Sequence, residues 1–128
     1  MNKEVNFEIA KLLKDKEFMD KNMYGEVRLS QPKFYDDNGV IHNIKDAFEK
    51  TELNLRECYN APTIAEAVMW LYEKYGIWIS VTKDWDVGKC LGFESIIDTN
   101  DGFINTETYN SPTEAYEAAI KYTLENLI

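Results

Sequence analysis

Residues 61–82 read Ala-Pro-Thr-Ile-Ala-Glu-Ala-Val-Met-Trp-Leu-Tyr-Glu-Lys-Tyr-Gly-Ile-Trp-Ile-Ser-Val-Thr, a helix that feeds a strand. Thr63 is placed to cap the helix and Glu66, three residues on, to reach back to the capping amide, a reciprocal pair worth roughly 1 kcal/mol. Ile64, Ala67, Val68, Leu71 and Tyr75 recur at three- and four-residue steps on one face. Gly76 supplies the left-handed residue that stops the helix. The period then changes to two: Ile77, Ile79 and Val81 point one way, and Trp78, Ser80 and Thr82 the other, as in a half-buried strand.

Downstream of this unit, Lys83-Asp84-Trp85-Asp86-Val87-Gly88 reads as a polar turn. Leu91, Phe93, Ser95 and Ile97 then alternate with Gly92, Glu94, Ile96 and Asp98. Asn100-Asp101-Gly102 makes a further turn, and Phe103 to Tyr109 returns as a strand. The last helix opens at Ser111-Pro112 with Glu114 completing a second capping box, and runs to about Leu127. Tyr116, Ile120, Leu124 and Leu127 line one face, with Ala115 and Ala119 beside them and Glu117, Lys121 and Glu125 outside.

Upstream, a helix is expected from about Lys3 to Glu17, with an apolar stripe of Val5, Ile9, Leu12 and Leu13. Tyr24 to Ser30 alternates as a strand until Gln31-Pro32 interrupts it. Phe34-Tyr35 and Val40-Ile41 flank Asp36-Asp37-Asn38-Gly39, where Asn-Gly favours a tight hairpin because both residues accept positive φ. Asn43 is placed to cap a short helix reaching about Lys50, and Thr51 to Asn60 reads as an irregular approach to the central unit. The expected fold is α+β: a single domain in which helices cover one side of an antiparallel sheet, in two layers. Residues 1–58 hold the amino-terminal helix and hairpin, and residues 59–128 a helix-strand-strand-strand-helix unit. Tyr59-Asn60-Ala61-Pro62-Thr63 and Tyr109-Asn110-Ser111-Pro112-Thr113 are nearly one pentapeptide, read as two similar helix starts since no third copy suggests a repeat array.

At 128 residues, 45% of them hydrophobic, the chain can bury a core without a metal or a disulfide. Cys58 and Cys90 stand apart, as core or surface thiols. No apolar run approaches a membrane span of about 20 residues, and the amino terminus lacks a secretory pattern, so the expected location is cytoplasmic with no membrane partner. The net charge of −9 is unevenly placed: residues 1–60 carry ten basic and twelve acidic side chains, residues 61–128 four and eleven. Between Lys89 and Lys121 there is no basic side chain, while Glu94, Asp98, Asp101, Glu107, Glu114 and Glu117 fall there. Such a field repels a phosphate backbone, so direct nucleic-acid binding is disfavoured, and it suits a basic partner.

His42 is the only histidine, which excludes any site built on two imidazoles. The phosphate-cradling glycine loops and the nucleophile elbow are absent. Asp98 to Ile104 crowds carboxylates ahead of Gly102, but the glycine falls at the fifth position of a would-be calcium loop and Glu107 short of the twelfth. Glu94 and Asp98 share a strand face at about 13 Å, too far for a glycosidase pair. No catalytic, metal-binding or cofactor-binding residue is assigned, and no cofactor is expected. An enzyme working with carboxylates alone would need two acids converging in one cleft. The candidate interaction surface is aromatic: Met69 and Trp70 lie off the main helix stripe near Glu66 and Glu73, and Trp78 and Trp85 pose the same question on the strand and turn that follow. A ring of this size gains roughly 4 to 6 kcal/mol of gross burial when covered, so a second copy or a partner protein is the natural cover if the chain itself is not.

The pattern Ala61-Pro62-Thr63-x-Ala65-Glu66-x-Val68-x-Trp70-Leu71-x-Glu73-Lys74-Tyr75-Gly76-Ile77-x-Ile79, with Tyr109-x-Ser111-x-x-Glu114-Ala115-x-Glu117-Ala118-Ala119-Ile120, resembles small proteins of prophages and mobile elements in gut bacteria, a group with no assigned activity. Residues Asp98 to Ala119 are more weakly similar to HicB-type antitoxins, in which strands lead into a helix opening with Ser or Thr, Glu and Ala. The resemblance implies an accessory protein of phage type and carries over no functional residue. The strand and helix order also looks like a double-stranded-RNA-binding domain, yet Ser111-Pro112-Thr113-Glu114 stands where that fold places lysines. The functional expectation is therefore a non-enzymatic protein-interaction module, a possible homodimer, or an acidic antitoxin-like decoy that occupies a basic site.

Overall fold

The computed structural model describes residues 3–18, 29–49 and 53–128. The chain is α+β, with two antiparallel sheets of three strands each among the described residues. Its contacts divide it into two compact units, Lys3–Thr63 and Ile64–Ile128. The strand expected over Tyr24–Ser30 falls outside the described residues except for Leu29 and Ser30, which carry no regular structure.

In the first unit, α1 spans Phe7–Asp15 and starts later than the apolar stripe suggests. The reason is that Glu4 pairs with Thr63 and the Val5 amide donates to the Pro62 carbonyl at 2.9 Å, so the chain stays extended until Asn6. Asn6 then caps the helix, its side chain accepting from the Ile9 amide at 2.9 Å. Glu17 ends it in the left-handed region (φ 59), with the Phe18 amide reaching back to Leu13 and the Glu17 amide to Lys14. Val5, Ile9, Ala10 and Leu13 are buried, so Ala10 takes the place on the stripe that was expected of Leu12.

Strands β1 (Lys33–Tyr35) and β2 (Ile41–Asn43) form the expected hairpin, but its turn is built differently. The Asp36 amide donates to the Val40 carbonyl and the Gly39 amide to the Asp36 carbonyl, so the loop is three residues, Asp37 to Gly39, and not a two-residue Asn-Gly turn. Only Gly39 has positive φ (82); Asn38 does not, and the Asp36 carboxylate instead accepts from the Asn38 and Val40 amides at 2.9 and 3.0 Å. Asn43 closes β2 and caps nothing; the short helix α2 begins at Asp46 and ends at Glu49. Tyr59–Asn60, expected to be irregular, is strand β3, paired with β1 to give the order β2-β1-β3. These pairings carry Tyr59 to Thr63 into the first unit.

The second unit opens with α3 (Ile64–Tyr75), directly after Thr63, with Ile64, Ala67, Val68 and Leu71 buried. Gly76 ends it at φ 70, its amide donating to the Tyr72 carbonyl at 2.9 Å. Strands β4 (Trp78–Asp86), β5 (Lys89–Thr99) and β6 (Gly102–Asn105) follow as an antiparallel sheet in sequence order. The run expected to be a turn from Lys83 to Gly88 is mostly strand: β4 continues to Asp86, and only Val87 and Gly88 make the connection, at φ 50 and 73. Near that end the register shifts between Asp84 and Trp85, leaving Leu91 extra on β5. After Asn105 the return is held by the Thr106 amide on the Ser95 carbonyl (3.0 Å) and by a two-bond bridge between Phe93 and Tyr109. The strand expected through Tyr109 is thus a four-residue strand and a separate bridge.

Helix α4 (Pro112–Asn126) packs on β4, β5 and α3, and α3 also packs on β4, so within this unit helices cover one sheet face in two layers. Ala115, Ala119, Ile120, Thr123 and Leu124 are buried from the helix, and Ile79, Ile97 and Ser95 from the sheet. Ser95 is tolerated there because its hydroxyl bonds the Thr106 hydroxyl. The two near-identical pentapeptides start their helices two residues apart. Ser111 caps α4 by accepting from the Glu114 amide at 3.1 Å, whereas Ala61, at the matching place, has no side-chain oxygen to accept such a bond, and Ala61 to Thr63 stay extended against Lys33, Val5 and Glu4, so α3 begins at Ile64.

Candidate functional site

The pairing register decides what the sheet shows on the side away from its buried face. Trp78 lies opposite Asp98, and Asp98 opposite Phe103, so these three side chains form one row across β4, β5 and β6. The next rows on this face are Ser80, Ile96 and Asn105, then Thr82 and Glu94. Ile79, Ile97 and Ile104 form the alternate row, in which Ile79 and Ile97 are buried. Trp78 and Phe103 are therefore about 10 Å apart, two strand spacings, with a carboxylate between them. Phe103 is 70% exposed and Trp78 42%. Tyr72, from the last turn of α3, is 51% exposed and meets the Trp78 ring edge-on at 5.4 Å.

The residues expected to form one aromatic surface are divided between three places. Trp78 belongs to the open row. Trp70 is half-buried, with the Tyr75 ring edge-on at 5.5 Å and the Lys74 ammonium 5.2 Å from its centroid, while Met69, Glu66 and Glu73 are exposed along the same helix. Trp85 is 57% exposed with the Lys83 ammonium at 5.5 Å, seven residues and about 23 Å along β4 from Trp78. The expected acidic surface is similarly divided. Glu94 and Asp98 share the open face, Asp101 sits at the tip of the β5–β6 turn, Glu107 lies on the return and Glu114 and Glu117 on α4. No three histidine, cysteine or carboxylate side chains among the described residues gather closely enough to hold a metal ion.

Tyr72 and Phe103 were not picked out from the sequence. Phe103 was findable: a two-residue Asn100-Asp101 loop sets it opposite Asp98, on the Trp78 side. Tyr72 was not, because its contact with Trp78 depends on how the chain turns at Gly76.

A second feature of this unit is a cleft of about 330 Å³ beside β6. Its sheet wall is Ile104, Asn105, Thr106, Glu107 and Tyr109; its helix wall is Ala118 and Tyr122 of α4.

In the first unit, His42 Nε2 meets Asp36 Oδ2 at 2.8 Å, and its ring stacks on Phe34 at 5.3 Å. The hydrogen bond from His42 holds the Asp36 carboxyl below its usual value against the opposing effect of burial, with the Val40 and Asn38 amides adding to it. Since the other carboxylate oxygen carries those two turn amides, the pair braces the hairpin. Burial pushes the Cys58 thiol up, and its sulfur donates to the Asn54 carbonyl at 3.3 Å, so it is poorly suited to act as a nucleophile.

No family model matches the chain, and neither a curated protein nor a solved structure matches it. No helix among the described residues is long and apolar enough to cross a membrane.

Proposed function

We propose that the chain is a non-enzymatic interaction module, an accessory of phage or mobile-element type acting inside the cell, whose open sheet face receives a basic partner protein. The observation that carries this reading is the row Trp78, Asp98, Phe103: two exposed aromatic rings with a carboxylate between them. Together with Tyr72 these rings leave roughly 300 Å² of aromatic surface in water, worth about 7 kcal/mol gross when covered. That is under half of one partner's usual share of about 800 Å², so the rings supply an anchor and the rim must supply the rest.

Charge decides between partners. The open face holds Glu94 and Asp98, with Asp84 further along β4, and no basic side chain in the rows from Trp78 to Asp84; Lys89 stands only in the last row, opposite Asp86 at the far hairpin end. A second copy placed on this face would bring two sets of carboxylates together out of water, whereas a cationic partner relieves the same desolvation. The resemblance of Ala61–Ile79 and Tyr109–Ile120 to prophage proteins supports the accessory role.

The test has two arms. Light scattering at about 100 μM is expected to give a monomer for the wild type and for Trp78→Glu alike. Protein captured from an extract of the producing cell is expected to be basic, to release in high salt, and to be lost with Asp98→Lys while circular dichroism is unchanged. A dimer that Trp78→Glu dissociates would replace the basic partner with a second copy, and capture indifferent to Asp98→Lys would remove the reading.

A further inference from the structure

We infer that the partner is taken as an extended basic segment that adds to the free edge of β6 and lays alternate side chains into the cleft against α4. This inference rests on the interaction-module reading and names its mode. Strand β6 pairs only with β5 among the described residues, so its other edge is open. The Thr106 amide bonds the Ser95 carbonyl, which makes Ser95 and Thr106 a hydrogen-bonded pair. Alternation along an antiparallel ladder then turns Ile104 inward to β5 and leaves the backbone groups of Phe103 and Asn105 pointing outward. No backbone hydrogen bond beyond the β5 ladder reaches either residue among the described ones, and both are exposed.

The cleft lies where the next strand would run. Its floor carries Ile104 and Thr106, whose side chains point to the helix side of the sheet, and its far wall is Ala118 and Tyr122. A strand bonded to Phe103 and Asn105 would send every second side chain into this space and the others onto the open face beside Phe103. That is strand addition in a groove between an edge and a helix, in which the main chain supplies affinity and alternate side chains supply selectivity. The small side chain of Ala118 leaves room for the incoming residues, and the Tyr122 ring, itself exposed, gives them an apolar wall.

Charge fixes the occupant. From residue 90 to the carboxyl end the chain has seven acidic side chains and one basic one, Lys121. Glu107 lines the cleft, and Glu114 and Glu125 continue the Ala118–Tyr122 flank of α4 at four- and three-residue steps, all three exposed. Asp101 stands at the hairpin tip and Asp98 one strand in. A segment alternating lysine or arginine with β-branched residues matches both the pleat and the charge.

The experiment uses the full chain and three defined probes: a labelled (Lys-Val)4 peptide, its (Glu-Val)4 counterpart, and (Lys-Val)4 with alternate backbone amides N-methylated on its pairing edge. Anisotropy is expected to show saturable binding of the first at millimolar concentrations or below, weakening severalfold at high salt. Binding of the second is expected to be absent, and binding of the third about tenfold weaker through the loss of two backbone bonds. Amide shifts should centre on Phe103, Asn105 and Glu107, and Ala118→Trp, which fills the cleft, should abolish binding with circular dichroism unchanged. Binding of (Lys-Val)4 that is indifferent to N-methylation and shifts Trp78 and Ile96 instead would overturn the edge mode and leave the basic-partner reading standing. No binding of either lysine peptide, or equal binding of the acidic one, would overturn both.

Discussion

Val87 offers a direct test of how β4 and β5 are joined. It is the first central residue of a two-residue turn, at φ 50, followed by Gly88 at φ 73 and flanked by the Asp86–Lys89 pair. Two consecutive left-handed residues define the turn type that matches strand twist, and Asn-Gly is its preferred occupant. A β-branched residue in that region costs about 1 to 2 kcal/mol. Val87 offsets none of this by packing, because it is 98% exposed. Replacing it with asparagine removes most of the strain and forfeits no contact, so Val87→Asn is expected to stabilise by about 1 kcal/mol. For a chain of this length that corresponds to roughly 3 to 5 °C in the melting temperature. Val87→Gly should fall between the two, since glycine relieves the strain but has more freedom to lose on folding. Thermal and urea unfolding measure the global effect, and amide exchange at Asp86 and Lys89 measures it locally if the hairpin end opens before the rest. Val87→Asn with no gain in either, or Val87→Gly below wild type, would refute the left-handed assignment.

Three other outcomes are expected. Gly92 sits at φ 139, where an added Cβ would lie 2.5 Å from the Tyr109 carbonyl oxygen and 2.6 Å from the Thr108 methyl, against the Phe93–Tyr109 bridge. Gly92→Ala should therefore cost about 2 to 4 kcal/mol, and clearly more than Gly102→Ala, whose φ of 130 is similar but whose Cβ would meet nothing; equal costs in urea unfolding would refute the clash. Asp36, held below its ordinary value of 3.8, contributes stability that is present above that value and lost as pH falls through its lower folded value. The gap in urea midpoint between wild type and Asp36→Asn should accordingly be wide near neutrality and close in strong acid, and a gap unchanged by acid would contradict the brace. Cys90 is exposed and Cys58 buried, so a thiol reagent should titrate one group at once and the second only in denaturant; two fast equivalents would place Cys58 wrongly.

Local chemistry made the helices legible in the sequence. The α3 period, its Gly76 stop and the Ser111-Pro112 start of α4 each depend on residues within a few positions of one another, and a helix satisfies its hydrogen bonds within the same span. The β5–β6 turn was legible for a similar reason. The β4–β5 turn was not, because Val87 is no turn former and because Lys83 to Asp86 runs past the apolar alternation that marks the earlier part of the strand. Tyr59–Asn60 was likewise invisible: two residues become a strand only because β1 lies beside them.

The candidate site divides along the same line. The distribution of charge placed the acidic excess in the second half, the strand period singled out Trp78, and the same two-residue alternation put Glu94 and Asp98 on one face. Which tryptophan would stand beside a second exposed ring and a carboxylate depended on the register between strands. That register sets Phe103 across from Asp98 and Trp78 and, with the packing of α4, opens the β6 edge beside Ala118 and Tyr122, while Trp70 meets Tyr75 and Lys74 within its own helix. A one-residue slip of β6 would send Phe103 to the opposite face, and the adjacent apolar pair Phe103-Ile104 does not itself say which of the two turns inward, whereas the alternation of Ile77, Ile79 and Val81 already holds Trp78 outward. The sequence by itself therefore determined that α1, α3 and α4 form, the Gly76 stop, the Ser111 cap and where the charge lies along the chain; the tertiary structure decided where α1 begins and which side chains meet, because pairing between strands is a relation between distant segments.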